Sequence, residues 1–255
     1  MAPAHYTHGH HESVLRSHRW RTAENSAGYL LPQLTPGMSL LDVGCGPGTI
    51  TVDLAARLAP GLVVGIDPAP DVVAQAATLV PPPGAAVRFE VGDIRTWGDG
   101  SGSGSPGNVE PRFHVVHAHQ VLQHVHDPAG VLRVMAAHCA PGGLIAARDS
   151  DYSAMSWYPR LPELDRWMEL YQRAARANGG EPNAGPRLPA WAHAAGLEDV
   201  SVTWSTWCFA TPDERLWWGG MWADRITGST LAAQLTTTGL ATAAELEEIA
   251  GAWRR

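Results

Sequence analysis

The sequence predicts an α/β fold on a doubly wound, mostly parallel sheet, and three observations lead there. Short apolar runs alternate with helical periods between Leu40 and Asp149. A loop with alternate glycines, Gly44, Gly46 and Gly48, joins the first run to the first helical period. Beyond residue 150 the composition shifts, and nine of the eleven tryptophans lie there. Taken in order, residues 1–11 are polar and histidine-rich, and Val14 to Arg16 with Trp20 to Leu31 read as helical up to Pro32. Strands are expected over 40–43, 62–66, 87–91, 113–119 and 143–149, and helices over 50–59, 70–79 and 128–139. Such alternation implies right-handed crossovers between parallel strands. Residues 98–111 have the makeup of a flexible, exposed linker and are assigned no structure. A helix over 163–178 follows, with Leu164, Trp167, Met168 and Tyr171 on one face and Gly179 after its end. Then come a strand over 200–209 and helices over 212–226 and 243–255.

The glycine loop carries the chemistry. Alternate glycines remove the Cβ atoms that would keep a ligand off the main chain, and they reach dihedrals that strain other residues. A dinucleotide loop wants a third glycine where Thr49 stands, and Asp42 would repel a pyrophosphate. A cationic nucleoside fits better. S-adenosylmethionine has an ammonium and a sulfonium but no phosphate, and its carboxylate suits the helix N-terminus near Thr49. Asp67 closes the next apolar run about 20 residues on, where an acid accepts ribose hydroxyls. Asp93 ends a third run.

The chain therefore resembles the class I S-adenosylmethionine-dependent methyltransferases of the ubiquinone/menaquinone and small-molecule group. The motifs are LLDVGCGPGT (40–49), VVGIDP (63–68), VGDI (91–94), VVHAHQVLQHVHDP (115–128) and PGGLIAARD (141–149). The resemblance implies a Rossmann-like core in which Gly44, Cys45, Gly46 and Gly48 form the cofactor loop. It places Asp42 near the ammonium, Asp67 and Pro68 at the ribose, and Asp93 with Ile94 at the adenine. An N-terminal helix closing over the cofactor would bring Arg19 or Arg21 to its carboxylate. The domains expected are an N-terminal helical extension (1–37), a cofactor-binding core (38–150, with the loop 98–111) and a tryptophan-rich helical lid or substrate region (151–255) with one further strand. Relatives of this type carry one more antiparallel edge strand, for which this chain has no obvious counterpart.

Composition narrows the function. At 255 residues and 45% hydrophobic content the chain can bury a full sheet. A net charge of −7 without a basic run argues against nucleic acid and for a small-molecule acceptor. Lysine is absent, which excludes a Walker lysine, a pyridoxal Schiff base and a short-chain-dehydrogenase lysine. With no long apolar run and no secretory layout, a cytoplasmic protein without a membrane span is expected. Cys45, Cys139 and Cys208 form no CxxC pair, and no metal site is assigned although His117 and His119 share a strand face.

Ligands of doubly wound sheets sit outside the carboxyl ends of the strands, so His119 and Gln120 are expected near the transferred methyl. His119, His124, Asp149 and Tyr152 are the candidate bases for an oxygen, nitrogen or carbon acceptor. Arg148 and Asp149 have the alternative of pairing with each other. Trp217, Trp218 and Trp222 cannot all face the core, which leaves aromatic surface for a pocket lid or a homodimer interface. The rival function is a protein that binds S-adenosylmethionine without transferring its methyl group.

Overall fold

The computed structural model describes residues 12–98 and 112–255; the histidine-rich start and, apart from Gly98, the linker over 98–111 lie outside the described residues. Five parallel strands form one sheet: β1 (Leu40–Val43), β2 (Leu62–Asp67), β3 (Ala86–Val91), β4 (Phe113–His119) and β5 (Cys139–Arg148). Their order is β3-β2-β1-β4-β5. The order reverses at β1, which pairs with β2 on one side and β4 on the other, with Asp42 opposite Gly65 and His117. A doubly wound sheet opens its ligand crevice at such a reversal.

Side-chain alternation along the strands divides the core. Leu40, Val63, Val115 and Ala146 pack on α2 (Ala23–Ala27) and α3 (Thr49–Leu58). Leu41, Val64 and Val116 turn the other way, onto α5 (Pro128–His138) and α7 (Leu188–Ala194). Between β2 and β3 runs α4 (Pro70–Ala76). The period-2 pattern thus places Asp42, His117, His119 and Arg148 on the α3 side of the sheet, because His117 is in register with Asp42 and His119 with Arg148.

Two expectations need correction. The N-terminal helix is broken: α1 (Glu12–Arg19) ends, and α2 restarts after Thr22. Thr22 and Asn25 form a reciprocal capping box that satisfies donors at the new helix start, so the chain turns there instead of continuing. Residues 200–209 are not a strand. The segment has no regular structure, and side chains hold it: Arg148 donates to Ser205 Oγ (3.0 Å) and the Trp207 indole to the Asn25 carbonyl (2.7 Å). No antiparallel edge strand occurs among the described residues.

The tail is a helical layer of α6 (Pro162–Ala177), α8 (Pro212–Gly228), α9 (Thr230–Thr237) and α10 (Ala243–Arg254) around its own core. The apolar face expected for α6 is buried here through Leu164, Trp167 and Tyr171. Trp167 meets Trp222 and Trp253 edge to face at 4.6 and 4.8 Å. The tryptophans of α8 do not all face the core: Trp222 enters it, while Trp217 turns to Trp20 and Phe209. Thr211 and Glu214 cap α8, and Arg166 ties α6 to Glu245 on α10 at 2.7 Å. No helix among the described residues is long and apolar enough to cross a membrane.

Because Trp167 is fully buried and Trp204 is 74% exposed, Trp167→Ala is expected to lower stability by about 3–5 kcal/mol and Trp204→Ala by less than about 0.5 kcal/mol. Urea unfolding of the two variants checks the contrast, and equal losses would show that the helical layer has no packed core.

Candidate functional site

At the carboxyl ends of the strands lies a cleft of about 2040 Å³. Ligand pockets commonly span about 300–1,000 Å³, so this cleft is larger than most. Every candidate residue from the sequence lines it except Gly48 and Arg19. Gly48 instead caps α3 at φ 83°, and a Cβ there would press on Phe89 at 2.7 Å. The opposite holds at Gly46. Its φ is 56°, and an added Cβ would meet nothing nearer than His18 Nδ1 at 3.9 Å, so it would stand in the cleft. At Gly46 the bare main chain is therefore a cradle that a side chain would fill.

The acids around the loop are already engaged in holding it. Asp42 is buried; its Oδ2 accepts from Thr51 Oγ1 (2.6 Å) and its Oδ1 hydrogen-bonds His117 Nδ1 (2.8 Å). Asp67 accepts the Gly46 and Ala69 N–H groups at 3.1 and 2.9 Å, one on each oxygen, and Pro68 follows at the rim. A carboxylate oxygen has two acceptor positions, so both acids keep capacity toward a ligand. Asp93 pairs with Arg95, whose guanidinium and N–H hold its carboxyl below the usual range, and Ile94 is buried beside it. Cys45 donates its N–H to Ile66, and burial beside Asp42 and Asp67 keeps its thiol protonated.

Beyond β1 the chemistry changes. Gln120, just past β4, is at φ 55°, the one non-glycine in the left-handed region among the described residues. Its backbone strain is of the order of 1–2 kcal/mol. Three hydrogen bonds hold it: its N–H donates to Arg148 O (2.7 Å), its amide to Ser150 Oγ (2.7 Å), and its Oε1 accepts from Arg21. His119 is 6% exposed, and neither ring nitrogen has a partner. Burial, then the charges of Arg21 and Arg148, hold its pKa well below normal, so the ring is neutral. On the α5 side, Asp149 Oδ1 accepts the Gln123 N–H (3.0 Å) while Oδ2 is buried without a partner. Burial raises this carboxyl to about 7 despite the nearby backbone donors and Arg148. His124, hydrogen-bonded through Nε2 to Gln123 Nε2 (3.0 Å), is lowered to about 3 by burial and Arg21.

The sheet thus separates the candidate bases. His119 is on the α3 side, Asp149 and His124 are on the α5 side, and Tyr152 lies deeper, 4.2 Å from the Tyr171 ring in the helical layer, its phenol raised by burial. Arg148 and Asp149, adjacent in sequence, point apart and do not pair: Arg148 bonds Ser205. Two contributors were missed. Gln123 is 3% exposed and its Oε1 accepts the Ser150 N–H, fixing the turn after β5. Trp207 roofs the crevice, with the guanidinium carbons of Arg148 and Arg21 at 4.7 and 5.7 Å from its ring. Its place in an alternating run concealed it as a strand residue. Arg19 stands on α1, exposed.

The Methyltransferase domain family matches residues 15–202. An uncharacterized methyltransferase of Schizosaccharomyces pombe is 32% identical over 235 residues, 88% of this chain and 80% of that protein. A probable methyltransferase of Aspergillus luteorubrus, ltbC, is 30% identical over 83% of this chain and 76% of its own length. A solved putative methyltransferase of Bacillus halodurans overlaps 66% of this chain and 67% of its own at 20% identity, with a TM-score of 0.46. The fold and the glycine cradle define a Rossmann-like, class I methyltransferase. The chain belongs to the methyltransferase-domain family.

The raised carboxyl has a consequence for stability. Asp149 keeps its proton to about pH 7 when folded but to about pH 4 when unfolded, so it lowers stability as pH rises through that window. His124, at about 3 folded against about 6.5 unfolded, acts oppositely between those values. Asp149→Asn removes the first effect alone. Its stability should gain on the wild type from about pH 4 to about pH 7, by at most about 1.4 kcal/mol per unit, then keep a constant offset. Urea unfolding at a series of pH values reads this, and a pH-independent offset would contradict the raised carboxyl.

Proposed function

We propose that this methyltransferase takes its methyl group from S-adenosylmethionine and passes it to a small-molecule acceptor. The observation that carries the reading is the cradle at Gly46, open to the cleft and flanked by Asp42, Asp67 and Asp93. Acids on that side suit a ligand that is cationic and has no phosphate. When bound, the sulfonium supplies an already activated methyl group. The chain's part is to bind, align and, for acidic acceptors, move a proton. The main chain of Gly44, Cys45 and Gly46 supports the nucleoside, and Gly48 holds the loop from behind. Asp67 and Pro68 meet the ribose, Asp93 and Ile94 the adenine, Asp42 the ammonium side, and Arg21 the carboxylate.

His119 and Gln120, at the end of β4, are the groups nearest the transferred methyl. Asp149 is the base matched to neutral pH, since a carboxyl near 7 is partly ionised there and still basic enough to take a proton. His124, near 3, orients its neighbours by hydrogen bonding. Tyr152 bounds the cleft on the side of the helical region, which with the extension (1–37) and core (38–150) completes the proposed division of the chain. The net charge of −7 supports a small molecule over nucleic acid as acceptor, and the absence of long apolar runs supports a cytoplasmic setting. Exposed Val202, Trp204 and Leu216 are the surface available for a homodimer.

Incubation with methyl-labelled S-adenosylmethionine and an acceptor panel, beside a binding titration, tests the reading: binding with transfer supports it, and binding without transfer to any acceptor favours a non-catalytic protein. Asp67→Ala is expected to weaken binding of S-adenosylhomocysteine by about 2–4 kcal/mol, the loss of charge-assisted hydrogen bonds, as read by calorimetry. Unchanged affinity would remove Asp67 from the cofactor site.

A further inference from the structure

The strand ends form a polar series across the crevice. From β3 to β5, the residues at or beside them are Asp93, Asp67, Asp42, His119 and Arg148. The acidic half surrounds the glycine cradle; the far half carries the Arg148 guanidinium beside a neutral His119. Arg148 is the least compensated charge in that half. Its Nε and Nη2 both donate to one hydroxyl, Ser205 Oγ, at 3.1 and 3.0 Å, and its plane rests on Trp207. Among the described residues no carboxylate lies within ion-pair distance of it, and Asp149 next to it turns to Gln123. A guanidinium has five donors, so most of this fork is uncommitted where it lines the cleft. A partly buried, desolvated guanidinium gains most from an anion placed in its plane. Beside it His119 is neutral with both nitrogens unpartnered, which offers one further N–H donor.

We propose that Arg148 is a specificity-determining residue that receives a carboxylate of the methyl acceptor, with His119 as the second donor. This rests on the reading of the cleft as a methyl-transfer site, and it places the acceptor on the β4–β5 side, away from the acid-lined cradle. The cofactor's own carboxylate is the other source of the same chemistry. Arg21, on the N-terminal segment, serves that one, and Arg148 serves the acceptor. The aromatic rings of Trp157, Trp218 and Trp253, which line the cleft farther toward the helical layer, leave apolar room for the body of such an acid.

The test uses the full chain saturated with S-adenosylhomocysteine, and as probes benzoate, trans-cinnamate and succinate against their uncharged amides. Binding is followed by tryptophan fluorescence, since Trp207 lies under Arg148, and by calorimetry. At least one acid is expected to bind about tenfold or more tightly than its amide, the weight of a charge-assisted hydrogen bond. Arg148→Gln should bring acid and amide within about twofold of each other and leave S-adenosylhomocysteine within about threefold of wild type. A second measurement needs no variant: the bound acid should raise the His119 pKa, read by NMR of the ring, and the amide should not. The proposal is overturned if the wild type shows no acid preference, if the preference survives Arg148→Gln, or if the acid leaves His119 unmoved. A loss of S-adenosylhomocysteine affinity in Arg148→Gln would also overturn it, by giving Arg148 to the cofactor. Failure of the wild type to bind S-adenosylhomocysteine at all would instead sink the donor assignment.

Discussion

The carboxylate of Asp42 is buried in the middle of the sheet, and the position of the whole cleft depends on how it is held. One oxygen takes the Thr51 hydroxyl from α3, and the other meets His117 of β4. The same residue is one step before the turn into the glycine loop. Strand, helix and neighbouring strand are thereby locked to a single point under the cradle, and the reversal of strand order is fixed there. Removing one partner of such a buried hydrogen bond usually costs about 1–3 kcal/mol, because the other is left unsatisfied. The loop is then tied at its outer edge by Asp67, which takes a loop N–H on one oxygen and the N–H of Ala69 on the other. Two acids therefore pre-organise the main chain, which spares a ligand the cost of ordering it.

The opposite half of the crevice is built on incompletely satisfied groups. Both nitrogens of His119 and Asp149 Oδ2 are buried without partners. Each such atom costs about 1–3 kcal/mol, and buried polar groups left open in a folded protein ask for a ligand, a water or a mechanism. Strain at Gln120 lies between them. Strain and unsatisfied groups thus gather at the ends of β4 and β5, where functional sites commonly store them, beside a glycine loop held by two acids.

The first half was legible in the sequence and the second only partly. Loop, strand and helix periods are local, so the alternation after Leu40 and the spaced glycines located the turn from β1 into α3 directly. Pairings are not local. That Asp42 meets a histidine 75 positions later follows from strand register, which no single-sequence pattern contains. The run from Val200 to Phe209 misled for a related reason. Its apolar residues alternate as in a strand, but alternation reports only which residues seek burial. Here only Trp207 and Phe209 pack, against Trp20 and Arg148, while Val202 and Trp204 stay exposed and no ladder forms.

That substitution of side-chain anchors for a ladder sets how firmly the cleft is roofed. Trp207 touches Trp20 at 5.2 Å, rests beneath two arginines and donates to Asn25. It therefore joins the N-terminal segment to residues 200–209 over the β4–β5 end. Cation–π and aromatic contacts contribute about 0.5–2 kcal/mol each. A paired edge strand would add a row of main-chain hydrogen bonds that break only together with the sheet. A roof held by a few separable side-chain contacts can lift by local opening while the five strands stay paired. Arg21 also holds Gln120 and Arg148 also holds Ser205, so the roof shares its anchors with the strained turn after β4 and with the end of β5.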